Sequence, residues 1–185
     1  ATNITSNTSG AIRLQAASNL NLKVNDNGNS SANTNIAAAG NLDLQAGSNV
    51  SKTDGNSLGL LSNGADVLMQ SGGNFTSTGM TVTALRDIAV NSASLTSASL
   101  TAGRHITLTT SAGMRTDGAI TAGTAGHGLV TLTNTGTGDI QIVGALQTTT
   151  TGLAANVAAV SVTSARDILI GSATGSSSNL SVLGT

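Results

Sequence analysis

The most constraining feature of this chain is a short pattern that recurs along it: a turn residue, commonly a polar one, then two apolar residues separated by one position. Clear copies are Asn19-Leu20-Asn21-Leu22, Asn41-Leu42-Asp43-Leu44, Asp66-Val67-Leu68-Met69, Asp87-Ile88-Ala89-Val90, His105-Ile106-Thr107-Leu108, Asp139-Ile140-Gln141-Ile142 and Asp167-Ile168-Leu169-Ile170. Looser copies begin at Ala11, Leu129, Ala159 and Asn179. Alternation with period two places both apolar side chains on one face of an extended strand and the residue between them on the other. The first apolar residues of successive clear copies, Leu20, Leu42, Val67, Ile88 and Ile106, follow one another at uneven but similar intervals. A spacing of roughly 20 residues suits one turn of a β-solenoid, whereas a leucine-rich repeat needs an L-x-x-L-x-L consensus that is missing here.

Weaker apolar slots lie between the copies, among them Val50, Leu58, Phe75, Met80, Val82, Leu95, Leu100, Met114 and Ile120. Gly, Ser, Asn and Thr separate them and supply corners. Each turn then holds about three short strands. The expectation is an all-β fold, a parallel β-helix of about eight or nine coils of roughly 20 to 22 residues. It is a single segment spanning residues 1–185.

Composition fits a thin interior. Hydrophobic residues make up 38% of the chain, yet Phe75 is its one aromatic. Ala, Val, Ile and Leu must therefore fill the core in layers. Only 8% of residues are charged and the formal net charge is -1, so no field favours nucleic acid or an anionic membrane surface. No apolar run reaches the roughly 18 residues of a membrane-spanning helix. Cysteine and proline are both absent.

The polar residue ahead of each strand bears on the fold. Asn and Asp tolerate left-handed corner conformations and bond neighbouring backbone groups. Asn19, Asn41, Asp66, Asp87, Asp139 and Asp167 are therefore expected to form a structural corner ladder. The outward apolar residues Leu68 and Leu169 are candidates for a contact surface.

Runs such as Ala102-Gly103-Arg104-His105-Ile106-Thr107-Leu108-Thr109, Thr137-Gly138-Asp139-Ile140-Gln141-Ile142 and Ala38-Ala39-Gly40-Asn41-Leu42-Asp43-Leu44-Gln45-Ala46 resemble filamentous-haemagglutinin-type adhesins of two-partner secretion. The resemblance extends over nearly the whole chain. It implies a right-handed β-helix exported through an outer-membrane pore, located outside the cell or on the bacterial surface, serving in adhesion, biofilm or display. It carries over no catalytic residue. The family's Asn-Pro-Asn-Gly-Ile-like secretion signature cannot be present in a chain without proline.

Catalytic chemistry finds little support in the same residues. Polysaccharide lyases of this architecture cluster acids for Ca²⁺ and place an Arg or Lys base nearby. Here all eight acids are Asp and they are scattered. Arg86, Arg104 and Arg166 occupy equivalent positions ahead of strands, and the repeated pairs Arg86-Asp87 and Arg166-Asp167 suggest surface ladders or ion pairs of small value. His105 and His127 lack the further ligands a metal needs, and Asn25-Asp26-Asn27-Gly28-Asn29 reads as a surface loop. No catalytic, cofactor-binding or metal residue is assigned, and no cofactor is expected.

An ice-binding solenoid is the main alternative, because Thr81-Val82-Thr83, Thr107-Leu108-Thr109 and Thr131-Leu132-Thr133 repeat a Thr-x-Thr unit. Against it, other copies place Asn21, Asp43, Leu68, Ala89, Gln141 and Leu169 outward. A depolymerase is the lesser alternative. The strand pattern is running by Ile12 and still running at Val182, without an amphipathic cap at either end. The expected partners are further copies stacked end to end or the rest of a longer rod, with surface glycans or proteins as adhesive targets. Nucleic acid and membrane insertion are not expected.

Overall fold

The computed structural model describes residues 3–24, 34–52, 54, 56–97, 99–150, 157–171 and 180–184. Within them the fold is all-β, with twenty strands and no helix. Every strand pairing is parallel. The Asn25–Asn29 segment lies outside the described residues.

The strands stack in three ladders. The first has eight rungs: Ile4–Thr5, Thr34–Ala38, Leu58–Ser62, Met80–Ala84, Ser99–Ala102, Ile120–Ala122, Leu146–Thr150 and Leu180–Gly184. The second begins with Ile12–Ala16, Leu42–Ala46 and Val67–Ser71, and ends with Val130–Asn134 and Val160–Ser164. The third runs through Leu20–Leu22, Val50–Lys52, Asn74–Thr76, Ile140–Ile142 and Ile168–Ile170. Two long strands, Ile88–Ser97 and Ile106–Thr116, continue around the corner and belong to both, joining them into one twelve-stranded sheet. The chain visits the ladders in fixed cyclic order, first, second, third, and returns one rung further along.

Register explains why the pattern folds this way. On the second ladder Ile12, Leu42, Val67, Ile88, Ile106, Val130 and Val160 are successive partners. The steps from Leu42 to Val67, from Val67 to Ile88 and from Ile88 to Ile106, read from sequence as turns of a coil, are thus true rung-to-rung steps. The step from Leu20 to Leu42 is not, because Leu20 pairs with Val50 on the third ladder. Rung lengths are also less uniform than the sequence pattern suggests. The shortest steps run from Val82 to Leu100 and from Ile88 to Ile106, and a much longer one takes Leu146 to Leu180.

Period-two alternation sends one set of side chains inward. Ile36, Leu60, Val82, Leu100, Ile120 and Leu146 form a buried stack on the first ladder. Leu44, Met69, Val90, Leu108 and Leu132 do so on the second, and Val50, Phe75, Leu95, Met114 and Ile140 on the third. The lone aromatic is therefore one plane of the third stack.

Small polar side chains occupy the inner corners. Ser62 and Thr148 donate to the carbonyls of Gly40 and Gly128 at 2.7 and 2.6 Å, and buried Thr110 donates to Asn134 Oδ1 at 3.1 Å. Ser62 and Thr148 thereby satisfy backbone carbonyls where the ladders leave off, while Thr110 and Asn134 satisfy each other. A bulge shifts the register where Ser92 and Ser94 face Thr110 and Gly113. Gly113 sits there at φ 135°, in the region a side chain rarely enters.

Leu108 is fully buried, whereas its neighbour Thr107 points outward and is exposed. Leu108→Ala is expected to cost about 3 kcal/mol and Thr107→Ala less than about 0.5 kcal/mol, read by urea unfolding. Equal costs would contradict this inward-outward assignment.

Candidate functional site

The corner residues fall on two ladders. At the corner entering the second ladder, Asp66 N–H donates to Asn41 Oδ1 at 3.3 Å, Asp87 N–H to Asp66 Oδ1 at 3.2 Å and His105 N–H to Asp87 Oδ1 at 3.0 Å. His105 continues the series, its Nδ1 accepting from Leu129 N–H at 3.2 Å. At the corner entering the third ladder, Asn49 N–H donates to Asn19 Oδ1 at 3.1 Å and Asn74 N–H to Asn49 Oδ1 at 2.8 Å. Farther along that corner, Asp167 N–H donates to Asp139 Oδ1 at 3.4 Å. Asn49 and Asn74 do not stand out in the sequence because no N-L-x-L copy follows them.

Arg86, Arg104 and Arg166 pair along the ladder direction, whereas Arg115 Nε meets Asp117 Oδ1, two residues on, at 2.6 Å. Arg86 chelates Asp66, through Nε at 3.0 Å and Nη2 at 2.6 Å. Arg104 holds Asp87 in the same way, and Arg166 Nε lies 3.6 Å from Asp139 Oδ1. Of the surface ladders or ion pairs that Arg86-Asp87 and Arg166-Asp167 suggest in sequence, the structure shows contacts from each arginine to the aspartate one rung back. Register aligns Asp87 with Asp66 and Arg86 with Ala65, so each arginine reaches diagonally across one rung to its aspartate. Burial raises the Asp87 carboxyl pKa, but the Arg104 hydrogen bond, the His105 N–H and the Arg104 charge together hold it below the usual carboxylate range.

A second charged cluster was not legible in the sequence. The Lys52 side chain is 0% exposed, and its Nζ lies 2.7 Å from Asp54 Oδ1 and donates to the Asp54 carbonyl at 2.6 Å. Asp54 also accepts the N–H groups of Val24 at 2.5 Å and Asn56 at 3.1 Å. The Lys52 hydrogen bond, against the opposing effect of burial and with help from those two N–H groups, holds the Asp54 carboxyl below its ordinary range. The alternation places Lys52 inward, opposite Leu22. Only a carboxylate brought back by the following loop lets it stay there.

The outer surface of the second ladder carries two rows. One reads Arg13, Asp43, Leu68, Ala89, Thr107, Thr131, Ser161, and the other Gln15, Gln45, Gln70, Asn91, Thr109, Thr133, Thr163. Leu68 is 37% exposed and sits in the first row, whereas Leu169, 48% exposed, lies on the third ladder. The two candidate contact residues therefore do not share a face. Thr107/Thr109, Thr131/Thr133 and Ser161/Thr163 are consecutive rungs. The third unit noted in sequence, Thr81/Thr83, is on the first ladder. Asn21, Gln141 and Leu169, weighed against a threonine array, belong to the third ladder and do not interrupt this one.

Among the described residues, no group of three His, Cys, Asp or Glu is placed to hold a metal ion. His127 makes a bridge to Thr150, while the residue stacked on His105 is Leu129. Compared with protein-family models, curated proteins and solved structures, the chain gives no match.

Removing one member of the buried pair leaves the other without its partner. Lys52→Ala is expected to cost about 3 kcal/mol, and the double variant Lys52→Met/Asp54→Asn markedly less because it leaves neither a cavity nor an unpaired charge. Acidification tests the carboxylates. Asp54 and Asp87 have folded pKa values below their unfolded ones. Their stabilisation is complete above the unfolded value of about 4 and is lost as pH falls through the folded values. The double variant Asp54→Asn/Asp87→Asn should lose less stability between about pH 5 and pH 2 than the parent. Parallel pH–stability curves from denaturant titrations would contradict this.

Proposed function

We propose that the chain is a segment of a right-handed parallel β-helix, and that it serves as an extracellular structural or adhesive rod of the filamentous-haemagglutinin type without catalysis. The observation that carries the architecture is the cyclic order of the three ladders, with each return stacking apolar on apolar. Eight rungs at about 4.8 Å give a rod about 34 Å long. The resemblance of the Gly-Asn-Leu-x-Leu and Gly-Asp-Ile-x-Ile runs supports the adhesive reading, location outside the cell, and surface glycans or proteins as targets. Asp66, Asp87 and Asp139 each accept a backbone N–H and lie beside an arginine. This supports a structural use of the acids over a catalytic one.

Axial partners, either further copies or the rest of a longer rod, fit the last rung of the third ladder. Ile168 and Ile170 continue the inward stack above Ile140 and Ile142, yet are 44% and 60% exposed. Apolar inward positions left exposed among the described residues are ones that a further stacked rung would cover. Electron microscopy of the purified chain at rising concentration should show rods that lengthen. Particles that stay monomeric at every concentration would remove the axial partner. Beads coated with the chain should adhere to bacterial or host-cell surfaces more than beads coated with an unrelated β protein, and equal retention would contradict the adhesive role.

A second reading, ice binding, is favoured by one observation, the three consecutive hydroxyl rungs from Thr107 to Thr163. They form a short regular array with spacings of about 4.8 Å across rungs and about 6.6 Å along each strand. Under this reading the chain produces thermal hysteresis that Thr131→Tyr abolishes. Ice growth unaffected by the parent chain eliminates it.

A further inference from the structure

The second face holds a feature that the rod architecture does not require. Two hollows, of about 200 and 160 Å³, adjoin along it and share Leu68 and Gln70. The first lies between Arg13 and Gln70, and the second continues to Thr109. Together they make a groove that runs along the ladder across five rungs.

Its floor and wall differ chemically. Leu68 and Ala89 are register partners in one outward row, and the short side chain of Ala89, between Leu68 and Thr107, opens the second hollow. Gln45, Gln70 and Asn91 follow one another in the other row, one amide per rung at about 4.8 Å. Each amide offers a donor and an acceptor. Asp43 lines the first hollow, and its Oδ1 is shielded from water without a hydrogen-bond partner among the described residues. Arg13, stacked over Asp43 by register, is exposed and gives its Nη2 to Gln45 Oε1 at 2.8 Å. Asp43 Oδ1 is thus an acceptor without a partner among the described residues at the wall of this hollow.

We infer that this groove binds a neutral, extended carbohydrate chain. Sugar rings present C–H faces for an apolar floor and hydroxyls that both donate and accept, which matches an amide row beside Leu68 and Ala89. A carboxylate acceptor serves hydroxyl donors, and with Arg13 beside Asp43 the groove carries no net charge that would favour an acidic polymer. An extended pyranose chain advances per ring by a distance comparable to the rung spacing, so successive rings meet equivalent amides. The inference rests on the adhesive reading and names the chemistry of its target.

The test uses the full chain with cellohexaose, mannohexaose and xylohexaose as neutral probes and a heparin hexasaccharide as the acidic one, followed by titration calorimetry. Binding of a neutral probe in preference to heparin is the expected result. Gln70→Ala/Asn91→Ala and the groove-filling Ala89→Arg should each weaken it at least tenfold, with Thr83→Ala/Thr101→Ala on the first ladder unchanged. All these positions point outward, and circular dichroism verifies that each variant is folded. Failure of the folded parent to bind any neutral probe, a preference for heparin, or retention of affinity within twofold by both groove variants overturns the inference. Coated beads separate the two levels. Adhesion by beads whose chain binds no neutral probe sinks the groove alone, and beads that do not adhere at all remove the reading beneath it.

Discussion

The structure depends on one constraint: a strand in a parallel ladder satisfies its backbone only if another strand lies in register on each side. No hairpin can provide that, because the chain must travel away and come back in the same direction. Here it returns after passing the other two ladders, whether by the short path from Ile88 to Ile106 or by the long one from Val130 to Val160. What stays constant from rung to rung is the inward position, not the length of the path. A slip of one residue would turn Leu108 out and Thr107 in, exchanging a buried methyl-rich side chain for a hydroxyl.

This constraint divides the side chains by position. Inward stacks require apolar residues of modest size, which is why a core with a single aromatic suffices. Inner corners take Ser, Thr and Asn, and the side chains of Ser62, Thr148 and Asn134 bond carbonyls there. Outer corners take Asn and Asp, whose oxygens accept the N–H of the next rung. Only the outward strand positions escape these demands. The amides and hydroxyls of the second face are free to be chosen for what they touch, which is why a binding groove belongs there and not among the Asp ladders.

Much of this was legible in sequence, and the failures have a common cause. Alternation identifies inward residues correctly at Leu42, Met69, Val90 and Leu132, since period two is local. It does not say which ladder a strand joins. Asn19-Leu20-Asn21-Leu22 and Asn41-Leu42-Asp43-Leu44 look alike, yet the first stacks on Val50 and the second on Val67. Ladder membership depends on corner geometry and loop length, which the strand motif does not encode. The same ignorance left a ladder and a local ion pair equally open for Arg86-Asp87, where the arginine's partner is Asp66 one rung below, and it scattered hydroxyl rungs that are consecutive. Lys52 was hidden because nothing in Val50-Ser51-Lys52 announces that Asp54 will curl back to meet it. For the candidate groove, Leu68 was visible as an outward apolar residue, but the amides of Gln45 and Asn91 reach it from the rungs on either side.

The claim on which everything else stands is that residues far apart in sequence are stacked at one rung per step. Pulsed electron–electron spin resonance measures this directly with nitroxide labels at cysteines introduced into the outward row of the second ladder. Leu68 and Ser161 are separated by four rungs and Arg13 and Ser161 by six, so their backbone separations should be about 19 and 29 Å. Narrow distance distributions increasing with rung number, corrected for label length, are the expected result. Broad distributions, or distances that do not scale with the rung count, would contradict the stacked-ladder architecture.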